Sequence, residues 1–456
     1  MEIRDVIHGS INIHRDELPV IDSRYFQRLR QIKQLGFGEF SFPSATHNRY
    51  IHSLGAMETA QRAFQSIFGH ALRHNLLPDD RMRGFRSALR FAALLHDVGH
   101  GPLSHTTETA MPAVKHLGLA DSNSPRQATH EDYTLKIILD SSLTPLLKKA
   151  GAAFGFTPLH IACLIDSKLT PPDDFFKEKL DGETTNFRPI LQQLISSELD
   201  VDRMDYLRRD SLAAGVSYGQ FDYDWLLNNL TYHVYEGKCL LALQHRALYS
   251  FEDFLISRFH MFLMVYFHHR AVIYDEMLKC YFNSQDCDYT LPADIEKYAE
   301  CNDFHLYSHL AQSKNEWARR ITEKRPYRML LELHSGIPTS KTAALEQEKL
   351  LKEVVAELEG KNIDRVIAQS TGELSKYFRK PGELASLSRR EPQIFVRYDN
   401  LYSSPGFIPL EQCTDLFKKY GEKRSITRLY VAPEKYDECH KSSRQHPFKY
   451  LDADEK

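Results

Sequence analysis

No stretch of this 456-residue chain approaches the roughly 18 consecutive apolar residues of a membrane span. The richest apolar run, Phe259 to Phe267, is short and bounded by Arg258 and His268, which fits a buried helix. The N-terminal stretch MEIRDVIHGSINIHRDELPV has acids among its first residues and no apolar core of signal-peptide length. The seven cysteines (Cys163, Cys239, Cys280, Cys287, Cys301, Cys413 and Cys439) form no CxxC pair. An odd, unpatterned set without a secretion signal predicts reduced thiols in a cytoplasmic protein. It also means that any metal must be held by histidine and carboxylate. Charge of one sign is missing as well: 58 Lys+Arg stand against 61 Asp+Glu, a formal net charge of -3. That excludes a protein held on nucleic acid by bulk positive charge, whereas a nucleotide needs only a few well-placed cations. Internal repeats and low-complexity tracts are absent too.

What is present is the ordinary balance of a globular protein, 42% hydrophobic and 26% charged. The length suits two or three domains, or one large helical body with appendages. Ile3 to Ile13 reads as short strand-like and turn segments, and Ser23 to Leu35 as a helix ended by Gly36 and Gly38. From Ile51 to Phe68 the positions Leu54, Met57, Phe64 and Phe68 keep helical spacing. Ala88 to Leu95 is a compact apolar helix that closes on His96-Asp97-Val98-Gly99-His100. Thr129 reads as the N-cap of a helix over His130 to Leu139, with Asp132 giving a capping-box signal. Ile190 to Leu212 and Phe251 to Phe282 are predicted as long helices, Lys238 to Leu243 as a short strand, and Asp294 to Lys380 as charged amphipathic helices. Beyond them Gln393 to Arg397 and Ile426 to Val431 are β-rich, punctuated by Pro392, Pro405 and Pro409, and the last residues read as frayed. The expectation is a mainly α fold with a few short strands and a small C-terminal α+β module. Its expected division is a core over 1–290, a helical extension over 291–390 and the module over 391–456.

Histidine and aspartate recur where helices begin and end: His52, His96, Asp97, His100, His105, His130, Asp200, Asp202 and Asp205. Neighbours such as His96 and Asp97 are ~100° apart on an α-helix and cannot share a face within it. At a helix end, however, both can converge on an ion just past the terminus, and Gly99 and Gly101 let the backbone turn His100 and His105 back over the same point. A lone His-Asp pair is usually a surface hydrogen bond. Here the pair follows Leu94-Leu95, so its heads lie near apolar surface where unpaired charge is costly. Imidazole with carboxylate suits Zn, Fe, Mn or Ni, and carboxylate alone shades towards Mg. Asp202, Tyr206 and Asp210 stand at successive i+4 positions and share a helix face, flanked by Arg203, Arg208 and Arg209. That face suits a ligand with a phosphate, a ring and hydroxyls, or equally a solvated charged surface. Arg258 lies among Phe254, Leu255, Phe259 and Phe262, and needs an anionic partner there.

These residues resemble the HD-domain superfamily of metal-dependent phosphohydrolases, and within it the deoxynucleoside triphosphate triphosphohydrolase branch, which includes the dGTPases and the SAM-and-HD-domain enzymes. The matching text is FQRLRQIKQLG (26–36), FPSATHNRYIHSLG (42–55), LLHDVGHGPLSH (94–105), THEDY (129–133) and DVDRMDYLRRD (200–210). The match runs in order over most of residues 1–280, with the metal motif inside 46–212, and there is no recognisable SAM domain.

The resemblance implies His52, His96, Asp97 and Asp202 as metal ligands, choosing Asp202 over Asp200 and Asp205. It implies His100, His105 and His130 beside the phosphates, with His130 as general acid. Arg49, Arg203, Tyr206 and Arg258 would hold the triphosphate. Gln34 and Asp210 would read the sugar 3′-hydroxyl, and Leu35 and Tyr266 would crowd the 2′ position. Asp22 and Arg30 match positions for an activating nucleotide in some relatives. Arg203 departs from the lysine of one branch, and its guanidinium fork reaches phosphate differently. The implied activity is hydrolysis of deoxynucleoside triphosphates to deoxynucleoside and inorganic triphosphate, with a divalent metal (Mn, Fe, Zn, Ni or Mg), in a homo-oligomer (dimer or tetramer) without membrane or nucleic-acid partners. The alternatives are an HD phosphohydrolase acting on nucleoside monophosphates or cyclic nucleotides, and a nucleotide-binding regulatory protein with a relic site.

Overall fold

The computed structural model describes residues 1–74, 76–119, 125–335, 341–372, 374, 394–400, 403–416 and 424–443. Its centre is the helix Arg49–Arg73, started by Asn48, whose side chain accepts from the Ile51 N–H at 3.2 Å. Leu54, Met57, Phe64 and Phe68, the positions with helical spacing, are all buried. They pack this helix against Asp79–Leu95 on one side and Val201–Ala214 on the other. Burying such a stripe stabilises each helix far more than its intrinsic propensity does. The fold is mainly α with small sheets, as the sequence leads one to expect. No described helix is long and apolar enough to cross a membrane, and all seven cysteines are free.

Two glycines are set by close approach. A Cβ on Gly55 would run into the Asp205 and Arg209 side chains, so the first helix can lie directly on Val201–Ala214. A Cβ on Gly99 would strike the His130 carbonyl and the Thr134 amide, where the turn after His96-Asp97 rests on the helix His130–Leu139. That helix begins with both halves of the capping box, Thr129 and Asp132.

Several elements differ from the sequence expectation, each for a local reason. The Ser23–Leu35 helix is α-helical only over Arg24–Arg28 and then a 3₁₀ turn over Leu29–Gln31. From Ile32 the chain extends, because Lys33 bridges Asn48, the Gln34 N–H donates to the His47 carbonyl and the Arg49 N–H to that of Ile32. The Ile190–Leu212 helix is two helices, Arg188–Ile195 and Val201–Ala214. Asp200 stops the run by capping the second: its carboxylate accepts from the N–H groups of Arg203 (2.8 Å) and Ser197 (3.1 Å). The Phe251–Phe282 helix is also divided, into Leu248–Met261, a π-turn over Phe262–Tyr266, and His269–Phe282.

The sheets join distant segments. β1 (Glu2–Asp5) and β2 (Gly9–Asn12) form a hairpin. β3 (Lys177–Leu180), β4 (Glu183–Asn186), β5 (Leu230–Tyr235), β6 (Lys238–Gln244), β9 (Phe395–Asn400) and β10 (Ser403–Pro409) form one sheet in the order β10-β9-β6-β4-β3, with β5 also on β6. β7 (Arg328–Ser335), β8 (Arg365–Gly372) and β11 (Arg424–Val431) form an antiparallel sheet with β11 central. Thus two strands lie inside the stretch read as charged helices. β8 alternates buried and exposed positions, but its partner β11 follows far along the chain. Pairing also runs across the boundary expected at 390/391, since β9 continues the β6 sheet. Gln393 and the last residues read as frayed fall outside the described residues.

Candidate metal and nucleotide site

The ends of three helices meet at one point. His52 comes from the first turn of Arg49–Arg73, His96 and Asp97 from the end of Asp79–Leu95, and Asp202 from the first turn of Val201–Ala214. His52 Nε2 lies 3.0 Å from Asp202 Oδ1 and 3.5 Å from Asp97 Oδ2. His96 Nε2 lies 3.4 Å from Asp202 Oδ1 and from Asp97 Oδ1. Both Nε2 atoms are buried and make no hydrogen bond of proper geometry.

The other ring nitrogens explain why. His96 Nδ1 must donate to the Ala93 carbonyl (2.7 Å), and His52 Nδ1 meets the Asp205 carboxylate at 2.8 Å. Each Nδ1–H is therefore committed, and each Nε2 turns a lone pair into the space bounded by two carboxylates. Two lone pairs and two anions facing each other require a positive charge between them. Burial opposes a proton on His52, yet Asp202 and Asp205 outweigh it and push its pKa up to about 10. A divalent cation meets the same demand, and imidazole with carboxylate is a fitting donor set for one. His52, His96 and Asp202 offer donor atoms all within 4.8 Å of one another.

Asp205 is the hub behind this cluster. Fully buried, it accepts from His8 Nε2 (2.7 Å) and from Arg209 Nε and Nη2 (2.8 and 2.9 Å) besides His52. Burial alone would raise its pKa, but Arg209, His52 and His8 hold it well below the ordinary carboxylate range. Arg209 also reaches Asp5 at 2.8 Å. Asp97 is braced by Arg49, whose Nε donates to Ser104 Oγ at 2.8 Å.

A cavity of about 660 Å³ opens on the cluster, the right size for a small ligand such as a nucleotide. On one side stand His100, His105 and His130. The rings of His100 and His130 stack 3.9 Å apart, and Glu108 binds His130 Nδ1 at 2.5 Å and His105 Nδ1 at 3.1 Å. Burial works against the Glu108 anion, but its bonds to the two histidines hold its pKa down to about 2. Burial, with the neighbouring Arg49 and His130, pushes His100 well below the usual histidine range and keeps it neutral.

Gln34, Leu35, Tyr206, Asp210 and Tyr266 also line the cavity. Asp210 accepts from Tyr266 OH (2.8 Å) and meets His47 Nε2 (2.7 Å), so both its oxygens are engaged. Gln34 Oε1 is buried without a hydrogen-bond partner, an acceptor that a ligand hydroxyl would satisfy. Asp200, the N-cap, also reaches the cavity, and burial pushes its pKa up to about 6.

Of the other expected residues, Arg49 and Arg203 line the cavity and Arg258 does not. Arg258 is buried and donates to Glu198 Oε1 (2.9 Å) and the Leu374 carbonyl (3.0 Å). Arg203 lies 3.5 Å from the same Glu198 carboxylate and 3.4 Å from Asp200. Asp22 and Arg30 are exposed and outside the lining; the Arg30 guanidinium stacks on Tyr50 at 3.6 Å.

Residues 49–210 match the family model described as "HD domain", and residues 221–375 match "HD associated region". The chain belongs to the HD-domain superfamily. Among similar proteins, "Uncharacterized protein MJ1154" of Methanocaldococcus jannaschii is 30% identical over 72% of this chain and 59% of its own length. "Deoxynucleoside triphosphate triphosphohydrolase SAMHD1" of Homo sapiens is 27% identical over 78% of this chain and 58% of its own. A crystal structure of a hypothetical protein from Aquifex aeolicus superposes with a TM-score of 0.71 at 26% identity, covering 97% of this chain and 99% of that one. The chain thus spans less than two thirds of the length of these curated relatives.

Sequence reasoning passed over His8, Asp5, His47 and Glu108, and set Asp205 aside. Two had a local signal: Arg209 follows Asp205 at i+4, and Glu108 follows His105 at i+3. His8 and Asp5 lie about 200 residues from their partners, and nothing in the sequence links them.

Proposed function

We propose that the protein is a metal-dependent phosphohydrolase that cleaves deoxynucleoside triphosphates into deoxynucleoside and inorganic triphosphate. The observation that carries this reading is the pair of unbonded, buried Nε2 atoms on His52 and His96, facing Asp97 and Asp202; His96, Asp97 and Asp202 line a nucleotide-sized cavity and His52 lies buried behind them. His52, His96, Asp97 and Asp202 would hold the metal, which when bound supplies Lewis acidity and water activation. A transition metal such as Mn, Fe, Zn or Ni suits the nitrogen donors, and Mg the carboxylates.

The side chains divide the remaining work. Arg49, fixed between Asp97 and Ser104, stabilises negative charge on the phosphoryl oxygens at the floor. His130 is oriented by ionised Glu108, which fixes its Nδ1–H and leaves Nε2 to give a proton to the departing 5′-oxygen. Attack of the water oxygen on the α-phosphorus forms one P–O bond and breaks that to the 5′-oxygen, which takes the His130 proton, while the proton lost by the water passes to solvent, from which His130 is reprotonated. Neutral His100 stacks on His130 without adding charge. On the sugar side, Gln34 Oε1 accepts from the 3′-hydroxyl, while Leu35 and the Asp210-bound ring of Tyr266 narrow the 2′ side. The likeness to the human triphosphohydrolase supports the substrate class.

One observation favours a second reading. Glu198 already engages Arg258 and lies beside Arg203, so fewer cations are left for a long phosphate chain. A nucleoside monophosphate is the substrate that would suit such a site. Product analysis with each dNTP, rNTP and dNMP separates the two. Deoxynucleoside with triphosphate supports the first reading; turnover of monophosphates alone replaces it with the second.

A further inference from the structure

The C-terminal sheet holds the wall of the cavity at one point. The helix that carries Tyr266 is interrupted beside it: the π-turn Phe262–Tyr266 is followed by Phe267, by His268 in an extended conformation (φ -60°, ψ 130°), and by a new helix from His269. A break of this kind strands backbone carbonyls that the helix would otherwise satisfy. The Phe267 carbonyl is met from outside, by Arg428 on β11, which donates from Nη1 at 2.7 Å. Beside it, Tyr430 OH donates to the carbonyl of His269, the first residue of the new helix, at 3.0 Å.

The clamp is itself rigid. Arg428 is nearly buried, and its Nε is held at 2.5 Å by Glu332, its direct cross-strand partner on β7. Tyr430, on the same face two residues on, is fully buried. From β8, Gly372 lets the backbone come up against the Phe267 ring, which a Cβ there would meet at 3.2 Å. All three strands of the sheet therefore contribute to seating the residue next to Tyr266. π-turns inside α-helices recur at functional sites because they re-aim a side chain, and this one ends on the tyrosine that bonds Asp210.

We propose that Arg428 is a positioning residue: from the C-terminal sheet it fixes the helix break that presents Tyr266 to the cavity, and so helps set which sugar the cavity accepts. The inference rests on the nucleotide reading above for its substrate, and on the hydrogen bonds alone for the clamp. It gives the C-terminal sheet a role in specificity, although none of its strands supplies a cavity-lining side chain.

The test uses the full chain with Arg428→Ala, Arg428→Lys and the milder Tyr430→Phe, which removes one hydrogen bond and keeps the ring. Steady-state kinetics on a dNTP and its rNTP are combined with amide hydrogen exchange over residues 262–272 and metal analysis. Losing a charge-assisted bond should raise KM for the dNTP by about tenfold in Arg428→Ala, with a smaller rise in Tyr430→Phe. Preference for dNTP over rNTP should fall, kcat should change by less than about twofold, and metal content should stay at the wild-type level. Exchange over 262–272 should speed up in Arg428→Ala, with Arg428→Lys intermediate. Wild-type KM, preference and exchange in both Arg428→Ala and Tyr430→Phe would overturn the proposal. If Arg428→Ala does not fold, Tyr430→Phe decides alone. Should the wild type hydrolyse no dNTP, the substrate reading fails and exchange still decides the clamp.

Discussion

The two walls of the cavity are built on different principles. On the metal side the side chains come from the ends of regular helices, and three of the four are backed by a partner: Asp205 behind His52, the Ala93 carbonyl behind His96, Arg49 beside Asp97. On the sugar side the chain is irregular. Gln34 stands in a turn between two 3₁₀ segments, and Tyr266 at the end of a π-turn held by a remote sheet. The metal side is fixed by short-range geometry between core helices, whereas the sugar side depends on contacts made by distant parts of the chain. A cation needs donors held to a few tenths of an ångström, which rigid helix ends supply. Discrimination between sugars can be set on more adjustable backbone.

That contrast can be broken most severely at the metal side. Asp202→Ala should lose bound metal and lower turnover by several kcal/mol of transition-state stabilisation, on the order of a thousandfold or more. Metal analysis beside kinetics checks it; full metal occupancy in the variant would remove Asp202 from the ligand set. Next in size is His130→Ala, expected to cost about 10²–10⁴ in kcat while metal content is unchanged. Unaltered kcat there would transfer the acid role elsewhere. Asp205→Asn replaces no metal ligand and no cavity-lining residue, yet by altering the partner of His52 Nδ1 it should weaken metal affinity by about 10–100-fold. Wild-type affinity would mean that the Asp205 hub serves the fold alone.

A last effect, on stability rather than on activity, concerns Asp303, which ties the sugar-side segment to the core. Its carboxylate accepts from the N–H groups of Leu103 (2.7 Å) and Lys33 (3.0 Å). It thereby restrains Leu103 and Ser104, two consecutive non-glycine residues in the left-handed region at φ 52° and 61°. Burial, against those hydrogen bonds, pushes its pKa up to about 6. The folded state thus holds this proton more tightly than the unfolded chain. The stability it contributes is fullest below about pH 4 and is lost as pH rises through 6, by roughly 2–3 kcal/mol. Thermal unfolding from pH 4 to 7 should show that downward slope reduced in Asp303→Asn. Parallel curves for the two proteins would contradict the assignment.

The same division decides what was legible in the sequence. His52, His96, Asp97 and Asp202 lie in short motifs at helix ends, and the helices that lead to His52 and His96 follow from the apolar spacing over Ile51–Phe68 and Ala88–Leu95. The mainly α fold was readable for the same reason. Asp200 was less legible, because a capping aspartate and a ligand aspartate look alike until the helix boundary is known. The break at Phe267–His268 was hidden in a continuous apolar run; its causes, Arg428 and Tyr430, lie about 160 residues away. Likewise β8 reads as part of a charged helical stretch until β11 pairs with it. Burial of Arg258 among aromatics was read correctly as needing an anion. That anion is Glu198, where the resemblance had placed a phosphate.

The most direct test of the account is anomalous diffraction from crystals of the metal-loaded protein at the absorption edge of the bound metal. The expected result is a peak about 2.0–2.2 Å from Nε2 of both His52 and His96, with Asp97 and Asp202 completing the protein ligands. A peak among His100, His105 and His130 instead, or none on the His52 and His96 pair at full loading, would contradict it.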